Sequence, residues 1–252
     1  MADKLIHTDK TGPTLEQARP HSIHTLLEGW DSHALTILLI APVLLTAWFF
    51  LGKQDVFPVI FGVSPSRDFA SALYEYLTAF LLLFCVPLLI LVLGFKRRPR
   101  DFGLQMGDWR AGLKLMAAII PFGIVVIYLG SSNAGLQAEY PLAKSTLGNV
   151  GLFVLAEASY VAFYYLAWEF FFRGFMQFGL EEKYGALMAI LVQTLPSVLM
   201  HITKPPSECF ASILAGLIFG YVAWRTRSMV YPWIMHAVAG IATDLFVILR
   251  VM

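Results

Sequence analysis

Charged residues are scarce in this chain, since they make up only 14% of its 252 residues. Ordinary soluble domains contain about 25%. Hydrophobic residues make up 58% of the sequence, so the composition excludes a disordered chain and favours a protein with several membrane-spanning segments. The formal net charge is only +1. Without an excess of basic residues, we do not expect nucleic acid as a partner.

Cysteine is equally scarce. The only two, Cys85 and Cys209, lie in apolar stretches, and they provide neither a disulfide framework nor the spacing of a metal site. We interpret them as small buried side chains. One glutamate and two histidines described below could in principle bind zinc, but no HExxH-type spacing is present. We therefore expect no metal and no cofactor.

Seven apolar segments of near-spanning length follow a polar stretch at residues 1–32. They cover roughly residues 34–51, 70–94, 113–130, 150–178, 186–201, 209–224 and 229–249. Because only helices and closed barrels satisfy their backbone hydrogen bonds in lipid, we interpret all seven as helices. The sequence thus predicts an all-α polytopic membrane protein with about seven transmembrane helices. Its parts are a polar N-terminal cytoplasmic segment, residues 1–32, and a helical membrane domain, residues 33–252.

Lysine and arginine are distributed unequally between the two sets of loops. If the N-terminus lies inside, the inside segments hold eleven of these residues and the outside loops hold four. Because cytoplasmic loops carry an excess of both residues, we predict a protein of the cell membrane with a cytoplasmic N-terminus and an external C-terminus. The densest basic run, Lys96–Arg100, is predicted to contact the anionic headgroups of the lipid bilayer.

Glu169 and Arg173 place opposite charges one helical turn apart in an otherwise apolar and aromatic stretch, residues 164–180. Each charge at the centre of a membrane helix costs roughly 2.5 to 3.5 kcal/mol by conservative scales, so such residues usually face the interior of a bundle and mark a functional site. The spacing allows them to pair on one helix face. A pair that only locks the bundle is the alternative.

Two histidines in apolar segments, His201 and His236, complete a candidate catalytic set with Glu169. Counted from the predicted inner turns at about 1.5 Å per residue, Glu169, His201 and His236 lie about 20, 28 and 14 Å deep. A carboxylate at middle depth can take a proton from water, a neutral histidine can orient that water, and a second histidine can stabilise an oxyanion. Either histidine could instead only bridge two helices.

Two further carboxylates are candidates for supporting roles. Asp244 lies two turns after His236 and is predicted to orient that ring, with a position near the outer interface as the alternative. Glu208 follows a proline-containing break, and it either caps the next helix or lies at the rim beside His201. We interpret Glu157, near the outer end of the fourth segment, as an interfacial residue.

These motifs resemble those of the CPBP family, the CAAX prenyl endopeptidases and bacteriocin-processing proteins, which are intramembrane proteases of glutamate type. The family's pattern is Glu-Glu-x-x-x-Arg, then Phe-x-x-x-His, then His-x-x-x-Asn. The resemblance covers roughly residues 95–250. The matching residues are Glu169, Arg173-Gly174, His201, His236 after Tyr231-Pro232, and the flanking Asp101–Leu104. The resemblance implies Glu169, His201 and His236 as catalytic residues, with Arg173 in support.

Three positions depart from the family's pattern. They are Trp168 for the first glutamate, Ser197 for the phenylalanine and Gly240 for the asparagine. In the family the leading glutamate usually activates the water, and the asparagine helps to form the oxyanion site. The resemblance therefore implies an endopeptidase with Glu169 as its base, which cleaves a membrane-bound or lipid-modified protein segment. The alternative is an inactive homologue that binds and regulates a membrane partner.

Overall fold

The computed structural model describes residues 29–63 and 67–252, in which Ser32–Met252 form one compact unit. Of the polar segment predicted at residues 1–32, residues 1–28 lie outside the described part. The described residues are largely helical and contain no strand. The main helices are α1 Ser32–Leu51, α2 Phe69–Gly94, α3 Trp109–Gly130, α4 Val150–Tyr184, α5 Ala186–Leu199, α6 Pro206–Thr226 and α7 Val230–Val251.

Six of these helices are long and apolar enough to cross a membrane, and α5 is a shorter apolar helix. The prediction of a multi-pass, all-α membrane protein is thus confirmed. Polar N-caps begin three of the helices: the side chains of Asp68, Asp108 and Asn149 each accept a hydrogen bond from the backbone N–H three residues later. Such caps satisfy donors that the first turn leaves unpaired. The turn from α4 into α5 uses Gly185, whose φ of +78° disfavours other residues.

The connection between α3 and α4 contains two short helical elements. Because residues 131–149 include glycine, serine, asparagine and proline, the sequence predicts an external loop there; within it the structure contains a short helix, Ala134–Glu139, and a 3₁₀ turn, Lys144–Thr146. The side chain of Asn133 caps the short helix by accepting from the backbone of Gly135 and Leu136. A six-residue helix is too short for hydrophobic periodicity to reveal.

Contacts between loops divide the bundle into two ends. The basic end joins the α2–α3 loop to the C-terminal ends of α4 and α6, through Arg97–Glu182, Arg225–Asp108 and Arg227–Glu181. The opposite end joins three other loops, through Arg67–Glu139, Lys204–Glu139 and Lys53–Thr203. Loops predicted to share one side of the membrane therefore lie together, and the chain after α5 reaches the opposite end. That the basic end is cytoplasmic stays a prediction.

Helix α4 lies at the centre of the bundle and contacts α1, α2, α5, α6 and α7. Its aromatic side chains fill the core, with Phe170, Phe171 and Phe172 fully buried. Two stretches of wider π-helical turns, Tyr160–Tyr165 and Phe170–Phe178, lie on either side of Leu166–Glu169. Such turns occur often at functional sites.

Helices α5 and α6 approach each other closely at Gly216 and Gly220. A Cβ atom would lie 2.6 Å from the nearest side-chain atom of α5 at Gly216 and 2.9 Å at Gly220. Such close packing is typical of two small residues spaced four apart on a membrane helix. The short separation also lets buried amides bond across the bundle. Nε2 of Gln193 donates to the carbonyl of Gly216, and Nε2 of Gln177 donates to that of Gly220.

Candidate active site

Glu169 and Arg173 form a buried ion pair on α4, as their spacing predicts. The Arg173 Nη1 atom lies 3.3 Å from Glu169 Oε1 and donates to it, while Nε lies 3.2 Å from Oε2. This second contact lacks hydrogen-bond geometry, and within the described part of the chain neither Nε nor Oε2 has a hydrogen-bond partner. The guanidinium also faces the rings of Phe172 and Phe219, with its carbon 5.9 and 5.5 Å from their centroids. Both charges are therefore enclosed.

His236 on α7 reaches the same carboxylate. Its Nδ1 atom lies 2.6 Å from Glu169 Oε1. Because a carboxylate only accepts, Nδ1 is the donor in this contact, and Nε2 is an acceptor whenever the ring is neutral. The ring packs between Tyr165 and Phe219, with centroids 4.5 and 5.9 Å away. The His236 side chain is 23% exposed and that of Glu169 is 0% exposed, so a substrate can reach the imidazole but not the carboxylate.

His201 lies just after α5, and the backbone sets its tautomer. Its Nδ1 atom lies 2.7 Å from the carbonyl oxygen of Ser197. Since a carbonyl can only accept, Nδ1 carries the proton, and Nε2 of the neutral ring is again an acceptor. His201 lies within electrostatic range of His236, Lys204 and Arg173. The structure thus brings Glu169, Arg173, His201 and His236 into one neighbourhood.

Residues 150–242 match the family model for Rce1-like type II CAAX prenyl endopeptidases. This Rce1-like segment runs from the start of α4 into α7 and contains all four residues of that neighbourhood. The resemblance inferred from the motifs is thereby confirmed for this part of the chain. No curated protein and no solved structure matches the chain.

Trp168 takes the place of the leading glutamate in the Rce1-like segment and lies against His201. The two rings meet edge to face, with centroids 5.4 Å apart. Trp168 is buried and stacks on Tyr164 at 5.7 Å. An indole can donate one hydrogen bond but cannot accept a proton from water. No carboxylate therefore stands at this position of the site.

Tyr165 is a member of the site that sequence reasoning missed. Its ring packs against His236, and its hydroxyl lies where a Cβ atom on Gly240 would stand. A signal was available, because Tyr165 precedes Glu169 by four residues and shares its helix face. Gly240, which stands in place of the family's asparagine, was a second indication, because a glycine at this position leaves room for a large neighbouring side chain.

Asp244 and Glu157 lie near each other inside the bundle. Both are buried, and their carboxyl groups are close enough to interact. Asp244 is expected to orient His236, but the Nδ1 atom of that ring faces Glu169. Eight residues of helix separate Asp244 from His236 by about 12 Å, which explains why it does not orient that ring. That Glu157 lies near the membrane interface stays a prediction, because burial inside the bundle does not fix its depth.

Glu208 lies in the first turn of α6, where its charge opposes the positive end of the helix. Its Oε1 atom accepts a hydrogen bond of 2.8 Å from the hydroxyl of Tyr140, whose ring lies beneath the Lys204 ammonium. These contacts place Glu208 in a polar cluster at the opposite end of the bundle. This cluster borders the site, because Glu208 lies within electrostatic range of His236; its predicted supporting role stays a prediction.

Among the described residues, no three or more histidine, cysteine, aspartate or glutamate side chains are grouped so that they could hold a metal ion.

Proposed function

We propose that the chain is an intramembrane endopeptidase of the CAAX type, in which Glu169 and His236 act as one catalytic unit. The observation that carries this proposal is the contact of 2.6 Å between Glu169 Oε1 and His236 Nδ1. A carboxylate that already accepts from an imidazole and a guanidinium is poorly placed to deprotonate water itself. It is well placed to orient an imidazole and to stabilise the imidazolium ion that forms when the ring takes a proton.

In this mechanism, the Nε2 atoms of His201 and His236 act on the same water molecule. His201 Nε2 accepts one of its hydrogen bonds and orients it, and His236 Nε2 takes the proton as the oxygen attacks the peptide carbonyl carbon. The positive charge gained by His236 is balanced by Glu169, while Arg173 keeps that carboxylate in place. The imidazolium then returns the proton to the leaving amine, so that protons balance over the reaction.

The proposed substrate class rests on the family resemblance. The site residues Glu169 and His236 lie on helices long and apolar enough to cross a membrane, which is compatible with a substrate held at the bilayer. We therefore propose a membrane-bound or lipid-modified protein segment as the substrate, and the Rce1-like match of residues 150–242 supports a prenylated C-terminal segment.

A second candidate function is favoured by Trp168. Its indole stands where the family's pattern has the leading glutamate and packs on His201. In that case the chain is an inactive homologue that binds a membrane partner, and the pair Glu169–Arg173 with His236 is a structural lock between α4 and α7.

The experiment that separates the two uses the purified chain in liposomes with prenylated and unmodified membrane-tethered peptides, and detects cleavage by mass spectrometry. The endopeptidase predicts cleavage by wild type and its loss in His236→Ala, His201→Ala and Glu169→Gln. His33→Ala is the matched control, because His33 stacks on Phe95 at the basic end. Cleavage that survives in His236→Ala, or no cleavage by wild type, contradicts the endopeptidase.

A further inference from the structure

A groove of about 660 Å³ lies between α1 and α2 at the basic end of the bundle. Its walls are mainly apolar, with Ile40, Val86, Leu89 and Ile90, while Ser32 and Thr36 of α1 add hydroxyl groups. Leu89 is 55% exposed, so the groove opens on the surface that the helices present to lipid. Neither the candidate active site nor its chemistry uses this surface.

The groove is closed at one end by a pair of rings. α2 ends with a reversal in which the Phe95 N–H donates to the Ile90 carbonyl, and Lys96 adopts a left-handed φ of +53°. This reversal turns Phe95 back toward α1, where its ring stacks on His33 with centroids 4.2 Å apart. The apolar walls therefore stop at His33 and Phe95, and the basic run begins at the next residue.

Within the described residues, ion pairs neutralise only part of the positive charge next to the groove. Arg97 pairs with Glu182, and Arg100 lies 3.8 Å from Asp101. Lys96 and Arg98 are exposed and form no ion pair with any residue that the structure describes. In the described part of the chain, the groove thus has at its polar end two positive charges without an acidic partner.

We propose that this groove binds one anionic phospholipid. An acyl chain lies along Ile40, Val86 and Leu89, and the headgroup phosphate lies between Lys96 and Arg98. Apolar walls alone would accept any lipid of the bilayer, but basic residues beside a groove between membrane helices select a negative headgroup. This inference is independent of the peptidase proposal.

Native mass spectrometry of the purified full chain tests the proposal, with titration of phosphatidylglycerol and of phosphatidylcholine. We expect one phosphatidylglycerol to be retained in preference to phosphatidylcholine. Lys96→Gln with Arg98→Gln should weaken its retention roughly 30-fold, at about 1 kcal/mol for each basic residue near the surface. Leu89→Trp should weaken retention as well, because it fills the groove without changing the charge.

Two matched controls separate a defined site from general attraction. Leu93→Trp adds the same bulk at an exposed position of α2 that does not line the groove. Arg110→Gln with Lys114→Gln removes two exposed charges near the start of α3. We expect both controls to retain the lipid like wild type, with every variant monodisperse and unchanged in thermal unfolding. Normal retention in Leu89→Trp, equal losses in the controls, or no preference between the two lipids would each overturn the proposal.

Discussion

The hydroxyl of Tyr165 occupies the space that a side chain at position 240 would need. A Cβ atom on Gly240 would overlap the tyrosine hydroxyl, and the same ring packs 4.5 Å from His236. The glycine that replaces the family's asparagine is therefore explained by packing between α4 and α7. The tyrosine ring, in turn, packs against the imidazole of His236, as the ring of Phe219 does.

This contact predicts a coupled pair. Gly240→Ala should destabilise the protein by about 1 to 3 kcal/mol, the usual cost of overpacking. Gly240→Ala with Tyr165→Ala should cost clearly less than the sum of the two single changes, because the second removes the overlap that the first creates. Unfolding in detergent of the four proteins measures the coupling. The control is Gly123→Ala, where a Cβ meets no atom within 4 Å. Strict additivity would contradict the packing account.

The buried ion pair predicts a second coupling. Arg173→Met should cost about 3 to 5 kcal/mol, because it leaves Glu169 buried without its main counter-charge. Glu169→Gln with Arg173→Met should restore much of that loss, since an amide needs no cation. Arg97→Gln at the exposed pair with Glu182 is the control and should cost at most about 1 kcal/mol. Equal stability of Arg173→Met and the double variant in detergent melts would show that the two side chains are not coupled.

The ion pairs of Glu139 with Lys204 and Arg67, at the opposite end of the bundle, predict that the stability of the protein falls in acid. Burial alone would raise the pKa of Glu139, but Lys204 and Arg67 outweigh it and lower the pKa to about 2. The unfolded value is about 4.3, so the folded state holds the proton less tightly. The stabilisation from Glu139 is therefore complete above the unfolded pKa and is lost as the pH falls toward 2.

Thermal unfolding of wild type and Glu139→Gln at pH 7 and at pH 3 measures this contribution. We expect the difference in stability between wild type and Glu139→Gln to be smaller at pH 3 than at pH 7. Glu182→Gln, at an exposed pair, should differ little from wild type at either pH. If wild type and Glu139→Gln differ in stability by the same amount at both pH values, the pKa of Glu139 is not lowered by folding.

The orientation in the membrane is tested by cysteine labelling. In a background with Cys85→Ser and Cys209→Ser, a cysteine at Lys144 should react with an impermeant reagent in intact cells. A cysteine at Arg98 should react only after the membrane is opened, because the basic loops are expected inside. The reverse pattern would invert the topology.

Much of the fold was predictable because lipid leaves few options. Hydrophobic runs had to be helices, and charge bias sorted the loops into the two sets that the structure brings together. Which side chains contact each other across helices was harder to predict from the sequence. The spacing of Glu169 and Arg173 predicted their ion pair. For His236, the sequence predicted only a depth in the membrane similar to that of Glu169, and not the direct contact between the two side chains. The proximity of Asp244 to Glu157 was missed, because depth along α4 and α7 does not show which faces meet.

The last prediction concerns how Glu169 and His236 share the chemistry. If the carboxylate acts only through the ring, Glu169→Gln should lower kcat about 100- to 10,000-fold, in the range of a lost general base, and leave KM nearly unchanged. His236→Ala should cost a similar factor, and the double variant should be no worse than either single change, because the two groups act as one unit. The assay is cleavage of a membrane-tethered peptide, with folding checked by thermal unfolding. Losses that multiply in the double variant would mean that the residues act independently. Full activity in Glu169→Gln would remove the carboxylate from the mechanism and leave the ion pair with a structural role only.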